Sequence, residues 1–302
     1  MTTTMNPFTF KGDNFVNRYR ITGNLTAKTP LHIGTGERRE DSTETNTNAS
    51  NSESDEKRYI DNIARDWNDH PYLPGSSLRG VVRHYLLQVF RSLDSRLATE
   101  VDYEATLFRD MDQDAQVDYM RTKASLLERV FGTPFCETKV EFWDAYLCNK
   151  VEAPENLKEK GWDDARQSYV VRSVAIDPET GAAEPNKLYS FDVAPPGSKY
   201  CLDIVGQNLS DEELGFLLFG LYGFNSEIVP LTLGAMSGRG FGCFTFELDK
   251  IYVLQANELP MWAKVASQCN HAGYNLFGKL SEANVKELIP KFKSAIQSKI
   301  EV

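Results

Sequence analysis

The sequence predicts an α+β fold with the split βαβ, or ferredoxin-like, order of elements. Three observations carry that prediction. Two distant stretches, NRYRITGNLTA and KYCLDIV, alternate apolar and polar residues as half-buried strands do. Two others, Gly75 to Leu93 and SDEELGFLLFGLYGF, carry helix signatures. Read coarsely along the chain, the order is strand, helix, strand, strand, helix, strand, with long insertions between the elements.

In the first strand Tyr19, Ile21 and Leu25 face one way, and Arg18, Arg20, Thr22 and Asn24 the other. It runs through Pro30 into LHIGTG. ERREDSTETNTNASNSESDEKR follows, with one alanine and no larger apolar residue. Such a segment buries too little surface to offset chain entropy, so residues 37–58 read as a disordered acidic insertion. From Gly75 to Leu93, the residues Leu78, Val82, Tyr85, Leu86, Val89 and Leu93 form one apolar stripe. An acidic helical insertion, residues 94–130, ends in LLERVFGTPF, and KVEFWDAYL reads as a strand. RSVAIDPETGAAEPNKLYSFDVAPPG, inside residues 150–198, reads as a hairpin-like excursion around its ETG turn. KYCLDIV puts Tyr200, Leu202 and Ile204 on one face. Ser210 and Glu213 make a capping box for the second core helix. LTLGAMSGRGFGCFTFEL is a glycine-rich loop leading into a strand with Phe244, Phe246 and Leu248 on one face. Residues 250–302 form a C-terminal extension ending in an amphipathic helix interrupted by Pro290. There is no internal repeat, and residues 1–302 read as a single domain.

The formal net charge of −10 argues mildly against a nucleic-acid binder. The charge is uneven, however. Leu97 to Met120 carries seven acidic residues and one basic, whereas Pro71 to Leu93 has three arginines and no acid. A local field can therefore oppose the total. The five cysteines form no CxxC pair, so neither a zinc site nor a disulfide framework follows, and free thiols are expected. MTTTMNPFTF lacks a signal-peptide core and LGFLLFGLYGF is too short for a bilayer. A soluble cytoplasmic protein is expected.

Four motifs could carry chemistry. In PGSSLRG, Ser76 or Ser77 can cap a helix whose free N–H groups suit a phosphate, with Arg79 and Arg83 beside it. A phosphate would offset the cost of two arginines near a positive helix end; a plain solvated arginine pair is the alternative. In GAMSGRGFG, Arg239 stands among glycines and could reach a phosphate or stack on a base, or the loop is simply a tight turn. His32 in LHIGTG reads better as a packed residue, and no histidine has metal-ligand spacing. Asp61, Asp66 and Asp69 lie just upstream of the PGSS helix. A carboxylate there could hold a divalent cation or take a proton from a ribose 2′-OH, or it belongs to a polar surface loop.

LHIGTG, YLPGSSLRGVVR, RVFG, AIDPETGAAEPNKLY and GAMSGRGFGCF, in that order, resemble the RAMP superfamily over roughly Tyr19 to Leu248. The likeness is strongest to the repeated backbone subunit of type III CRISPR RNA-guided effector complexes. It implies a modified RNA-recognition-motif-like core with a thumb-like hairpin, here around Ile176 to Leu188. Copies of such a subunit stack along the guide RNA with other subunits of the complex. The resemblance implies that Ser76, Ser77, Arg79 and Arg83 hold guide phosphates, as do Gly238, Arg239 and Gly240. It implies catalysis by Asp61, in the Ile60–Asp61 pair, with Asp66 as the alternative carboxylate. The reaction it implies is cleavage of guide-paired target RNA with a divalent cation, magnesium, through attack of the 2′-OH on the adjacent phosphate. No membrane is involved. The rivals are a purely architectural subunit, a metal-free guide-precursor endoribonuclease using His32 or His84, and a small-molecule phosphate-binding enzyme.

Overall fold

A computed structural model of the chain describes residues 8–41, 58–93, 109–152, 161–268 and 282–300, with Ala98, Gly273 and Leu280 besides. The elements begin with β1 (Asn17–Ala27), β2 (Gly34–Glu40), β3 (Tyr59–Ile63), α1 (Gly75–Leu93), α2 (Gln113–Lys123) and α3 (Leu126–Phe131). Next come β4 (Val140–Phe142), β5 (Tyr146–Leu147), β6 (Tyr169–Ile176), β7 (Ala183–Val193) and β8 (Lys199–Gln207). The chain then runs through α4 (Asp211–Tyr222), β9 (Phe244–Gln255), α5 (Leu259–Gln268) and α6 (Glu282–Ile300).

The main sheet has the order β4-β8-β1-β9, with β5 also on β8, and β1 is antiparallel to both its neighbours. With α1 between β1 and β4, and α4 between β8 and β9, this is a mixed α+β arrangement compatible with the ferredoxin-like core. Every other residue of β1 is buried. Its inner face, with Tyr200, Leu202 and Ile204 of β8 and Phe244 and Phe246 of β9, meets the apolar stripes of α1 and α4. Each such side chain contributes about 1.5–3 kcal/mol on burial. In the stripe of α1 the structure corrects one position. Leu93 is exposed, and Phe90 is buried against Phe216 and Phe219 at 5.2 Å each and Phe292 at 5.6 Å. The capping box of Ser210 and Glu213 is present. Pro290 does not interrupt α6: Leu288 and Phe292, on either side of it, are buried in the core. A Cβ on Gly215 of α4 would lie 2.8 Å from the Leu288 carbonyl oxygen, so the two helices need glycine there to approach.

A second sheet, ordered β2-β3-β7-β6, carries the site. β6 and β7 form the expected hairpin, and Asp177 Oδ1 closes its turn by accepting from the Glu179 and Thr180 amides. β3 runs parallel to β7, with Ile60 opposite Ser190 and Asp61 opposite Phe191. Residues 37–40 were expected to be disordered and are instead half of β2. They have no apolar anchor, but Arg38 pairs with Asp61 and Arg39 with Asp192. The rest of that insertion, residues 42–57, lies outside the described residues. Within residues 94–130, α2 is capped by Asp112 and α3 by a Ser125–Glu128 box.

The expectation of free thiols fails for one pair. β5 docks on β8 with Tyr146 opposite Cys201, which brings Cys148 and Cys201 into a disulfide with Cα atoms 5.9 Å apart. Cys136 and Cys243 are free, and Cys269 lies outside the described residues. Among the described residues no helix is long and apolar enough to cross a membrane.

Candidate nucleic-acid interface

Three consecutive residues organise the site. Leu31 exchanges backbone hydrogen bonds with Ala194 just past β7, at 3.0 and 2.9 Å. The His32 carbonyl accepts from the Ala235 amide of the glycine-rich loop at 2.8 Å, and the Ile33 carbonyl accepts from Ala64, just past β3, at 2.7 Å. The hairpin sheet, the glycine loop and the strand of Asp61 are thereby fixed to one short segment. The loop fits only because two of its positions lack a side chain. A Cβ on Gly234 would lie 2.5 Å from the His32 carbonyl oxygen, and on Gly242 2.0 Å from that of Leu233. Met236 and Gly240, both left-handed with φ of 65° and 83°, bracket a single turn at Ser237–Arg239. Gly238, Arg239 and Gly240 are exposed at its tip, and the Arg239 guanidinium has no partner among the described residues.

Asp61 lies within the strand β3. Its Oδ1 accepts from Arg38 Nε at 2.6 Å across the β2–β3 register. The opposite face of the same strands is half-buried and locked onto the buried Asp192. Arg39 donates to Asn62 Oδ1 at 3.1 Å and to Asp192 Oδ2 at 2.7 Å, and Arg65 donates to Asp192 Oδ2 and Ser168 Oγ at 2.7 Å each. Burial works against the charged form of Asp192, but Arg65 and then Arg39 outweigh it and hold the carboxyl below its ordinary range. Asp66, the alternative carboxylate, closes a turn by accepting from the Asn68 and His70 amides on one oxygen. Asp69 pairs with Arg166 at 2.7 Å, and the hydrogen bond from Arg166 is the chief reason its carboxyl is held down.

The start of α1 departs most from the sequence reading. The helix opens at Gly75, so Ser76 and Ser77 lie inside its first turn and do not cap it. The Gly75 amide donates to Asp144 Oδ1 at 2.8 Å, and a Cβ there would meet the Phe142 carbonyl oxygen at 2.1 Å. The loop between β4 and β5 therefore sits on this helix end, and a carboxylate takes the place read as a phosphate's. Arg79 donates to the carbonyl of Phe131, the last residue of α3, with its guanidinium over that residue's ring. Burial, and then the charge of Arg83, lower its pKa. Arg79 thus packs α1 against α3 and does not stand ready beside an anion. Arg83 is half-buried and also has a partner.

The RAMP superfamily model matches residues 24–245, most of the chain. The chain belongs to the RAMP superfamily. No curated protein matches it. Membership makes it a CRISPR-associated RNA-binding subunit, with RNA and the subunits of a CRISPR ribonucleoprotein as its general class of partner. In this RAMP subunit His32 is buried, with Nδ1 2.7 Å from the Asp192 carbonyl oxygen and its ring edge-on to Phe191. Sequence reasoning missed Arg38, Arg39 and Asp192, whose partners are fixed by strand register. It also missed an aromatic group beside α1. Trp67, 77% exposed, meets Tyr146 at 4.7 Å, and Tyr146 stacks on Tyr72 at 6.0 Å. Exposed rings of this kind are surfaces on which nucleobases stack. The exposed tryptophan in YIDNIARDWNDHPYL was the available signal.

Proposed function

We propose that this RAMP subunit binds guide RNA as a backbone component of a type III CRISPR effector complex and cleaves guide-paired target RNA at Asp61. One observation carries the reading. Leu31 to Ile33 ties the loop bearing the free Arg239 to the strand bearing Asp61, so an exposed guanidinium and a surface carboxylate share one rigid support. Gly238, Arg239 and Gly240 would hold guide phosphates through side chain and backbone. Ser76, which is exposed, and Ser77 remain available to a strand passing α1. Arg79 and Arg83 would act there through the shape of α1.

Arg38 occupies one oxygen of Asp61, and among the described residues no three His, Cys, Asp or Glu gather in metal-binding geometry, so a magnesium ion would be held by a carboxylate together with phosphate oxygens of the RNA. The chemistry open to the side chains is a proton transfer. Asp61 Oδ2 has no partner among the described residues and is the oxygen that can take the ribose 2′-OH proton. The O2′–P bond forms, the P–O5′ bond breaks, and the departing O5′ takes a proton from water. The products are a cyclic phosphate and a 5′-hydroxyl.

The test is Asp61→Ala in the assembled complex, with cleavage of guide-paired RNA read at the positions this subunit covers. Loss of a general base costs about 10²–10⁴-fold in rate. We expect that loss with guide content and assembly unchanged, and normal cutting by the variant would overturn the assignment. The Arg38–Asp61 ion pair favours a second reading, an architectural subunit whose carboxylate is sequestered. It predicts that the wild-type complex leaves the same positions intact.

A further inference from the structure

Arg38 and Arg39 are adjacent in β2 and so point to opposite faces of the second sheet. Arg39 is consumed beneath the sheet by Asn62 and the fully buried Asp192. Arg38 lies above it, 65% exposed, against an Asp61 side chain that is itself 30% exposed. Exposed ion pairs hold a fold together only weakly, so the contact does little for stability. Arg38 uses only Nε on Asp61, and its two terminal nitrogens have no partner among the described residues. An arginine with an open donor fork beside a carboxylate with one open oxygen matches what a phosphodiester needs at the moment of transesterification. The carboxylate takes the proton, and the fork takes the charge that builds on the non-bridging oxygens.

We propose that Arg38 is a second catalytic residue, donating two hydrogen bonds from its terminal nitrogens to the non-bridging oxygens of the scissile phosphate while Nε stays on Asp61. This rests on the reading of Asp61 as the cleaving residue. Arg38 gains and loses no proton. The bonds made and broken are those already given, and its guanidinium supplies a fixed positive charge beside the carboxylate. The locked face below, Arg39–Asp192–Arg65, keeps β2 and β3 in register and so keeps the pair aimed.

The experiment compares Arg38→Ala, Arg38→Lys and Asp61→Ala in the assembled complex. Single-turnover cleavage, target affinity and guide content are measured for each. Arg38→Ala is expected to slow cleavage by about 10²-fold, the size of losing one oxyanion donor, with target affinity within about threefold of wild type. Arg38→Lys keeps the charge without the fork and should recover only part of the rate. Added guanidinium ion should restore several-fold activity to Arg38→Ala and none to Asp61→Ala. If Arg38→Ala cleaves at the wild-type rate while Asp61→Ala does not, the role of Arg38 is refuted and that of Asp61 stands. If Arg38→Ala is slow but neither lysine nor guanidinium restores any rate, the role is likewise refuted. If Asp61→Ala cleaves normally, the underlying reading fails first, and the inference with it.

Discussion

Asp192 is fully buried and accepts from Arg39 and Arg65 at 2.7 Å each. Its second oxygen has no partner among the described residues, so the charge is held by two guanidiniums on one side. Removing one member of a buried ionic group costs about 3–5 kcal/mol, because the others stay buried without their counter-charge. Asp192→Asn should therefore lower stability by about that amount at neutral pH, read by denaturant unfolding. The pH dependence has a definite sign. The folded carboxyl titrates below its unfolded value of about 3.9, so its contribution is complete above that pH and is lost as the pH falls through the folded value. The gap between wild type and Asp192→Asn should stay constant from neutrality down to about pH 4 and narrow below it. A gap that persisted unchanged well into acid would show that the carboxylate charge is not what holds the two strands.

Among the elements, α6 has the clearest energetic role. It lays Leu288 and Phe292 on α4, and Phe292 completes a cluster with Phe90, Phe216 and Phe219 at centroid distances of 5.6, 5.6 and 6.0 Å. Phe292→Ala should destabilise the chain by about 3–5 kcal/mol through lost burial and the cavity left behind. Gly215→Ala should cost about 1–3 kcal/mol by forcing α4 off the Leu288 carbonyl. Thermal melts of the purified chain check both, and wild-type midpoints would mean that α6 does not seal the core. Elements of the first sheet were legible in the sequence because their signals are local. β1 alternates, α1 carries a stripe, and Ser210 and Glu213 stand three apart. Of the second sheet only the β6–β7 hairpin was legible. GTGERRE offers no apolar period, and what orders it is chiefly the ion pair of Arg39 with the buried Asp192, 153 positions away. The Cys148–Cys201 pair was hidden for the same reason, since docking of β5 on β8 sets it.

Over the whole molecule the question is how a chain of net charge −10 grips a polyanion. Many of its arginines are spent inside the protein: Arg20 on Asp203, Arg39 and Arg65 on Asp192, Arg121 on Asp13, Arg166 on Asp69 and Arg172 on Asp41. Glycine spacing made the tight turn around Arg239 legible, but sequence could not show that Arg79 is occupied by Phe131, since that contact spans 52 positions. With these arginines engaged inside the protein, contact with RNA draws on the remaining cations and on backbone amides and rings. The salt dependence of binding counts such charges, because each phosphate neutralised on a single strand steepens the plot of log affinity against log salt by about 0.7. The purified subunit should bind single-stranded guide RNA with a shallow slope, of magnitude about 3 or less, which corresponds to roughly four phosphates. Arg239→Ala should reduce that magnitude by about 0.7 and weaken binding evenly across sequences, since a phosphate contact reads no base. An Arg239→Ala slope equal to that of wild type would mean that the exposed tip of the glycine loop does not touch the backbone of the guide.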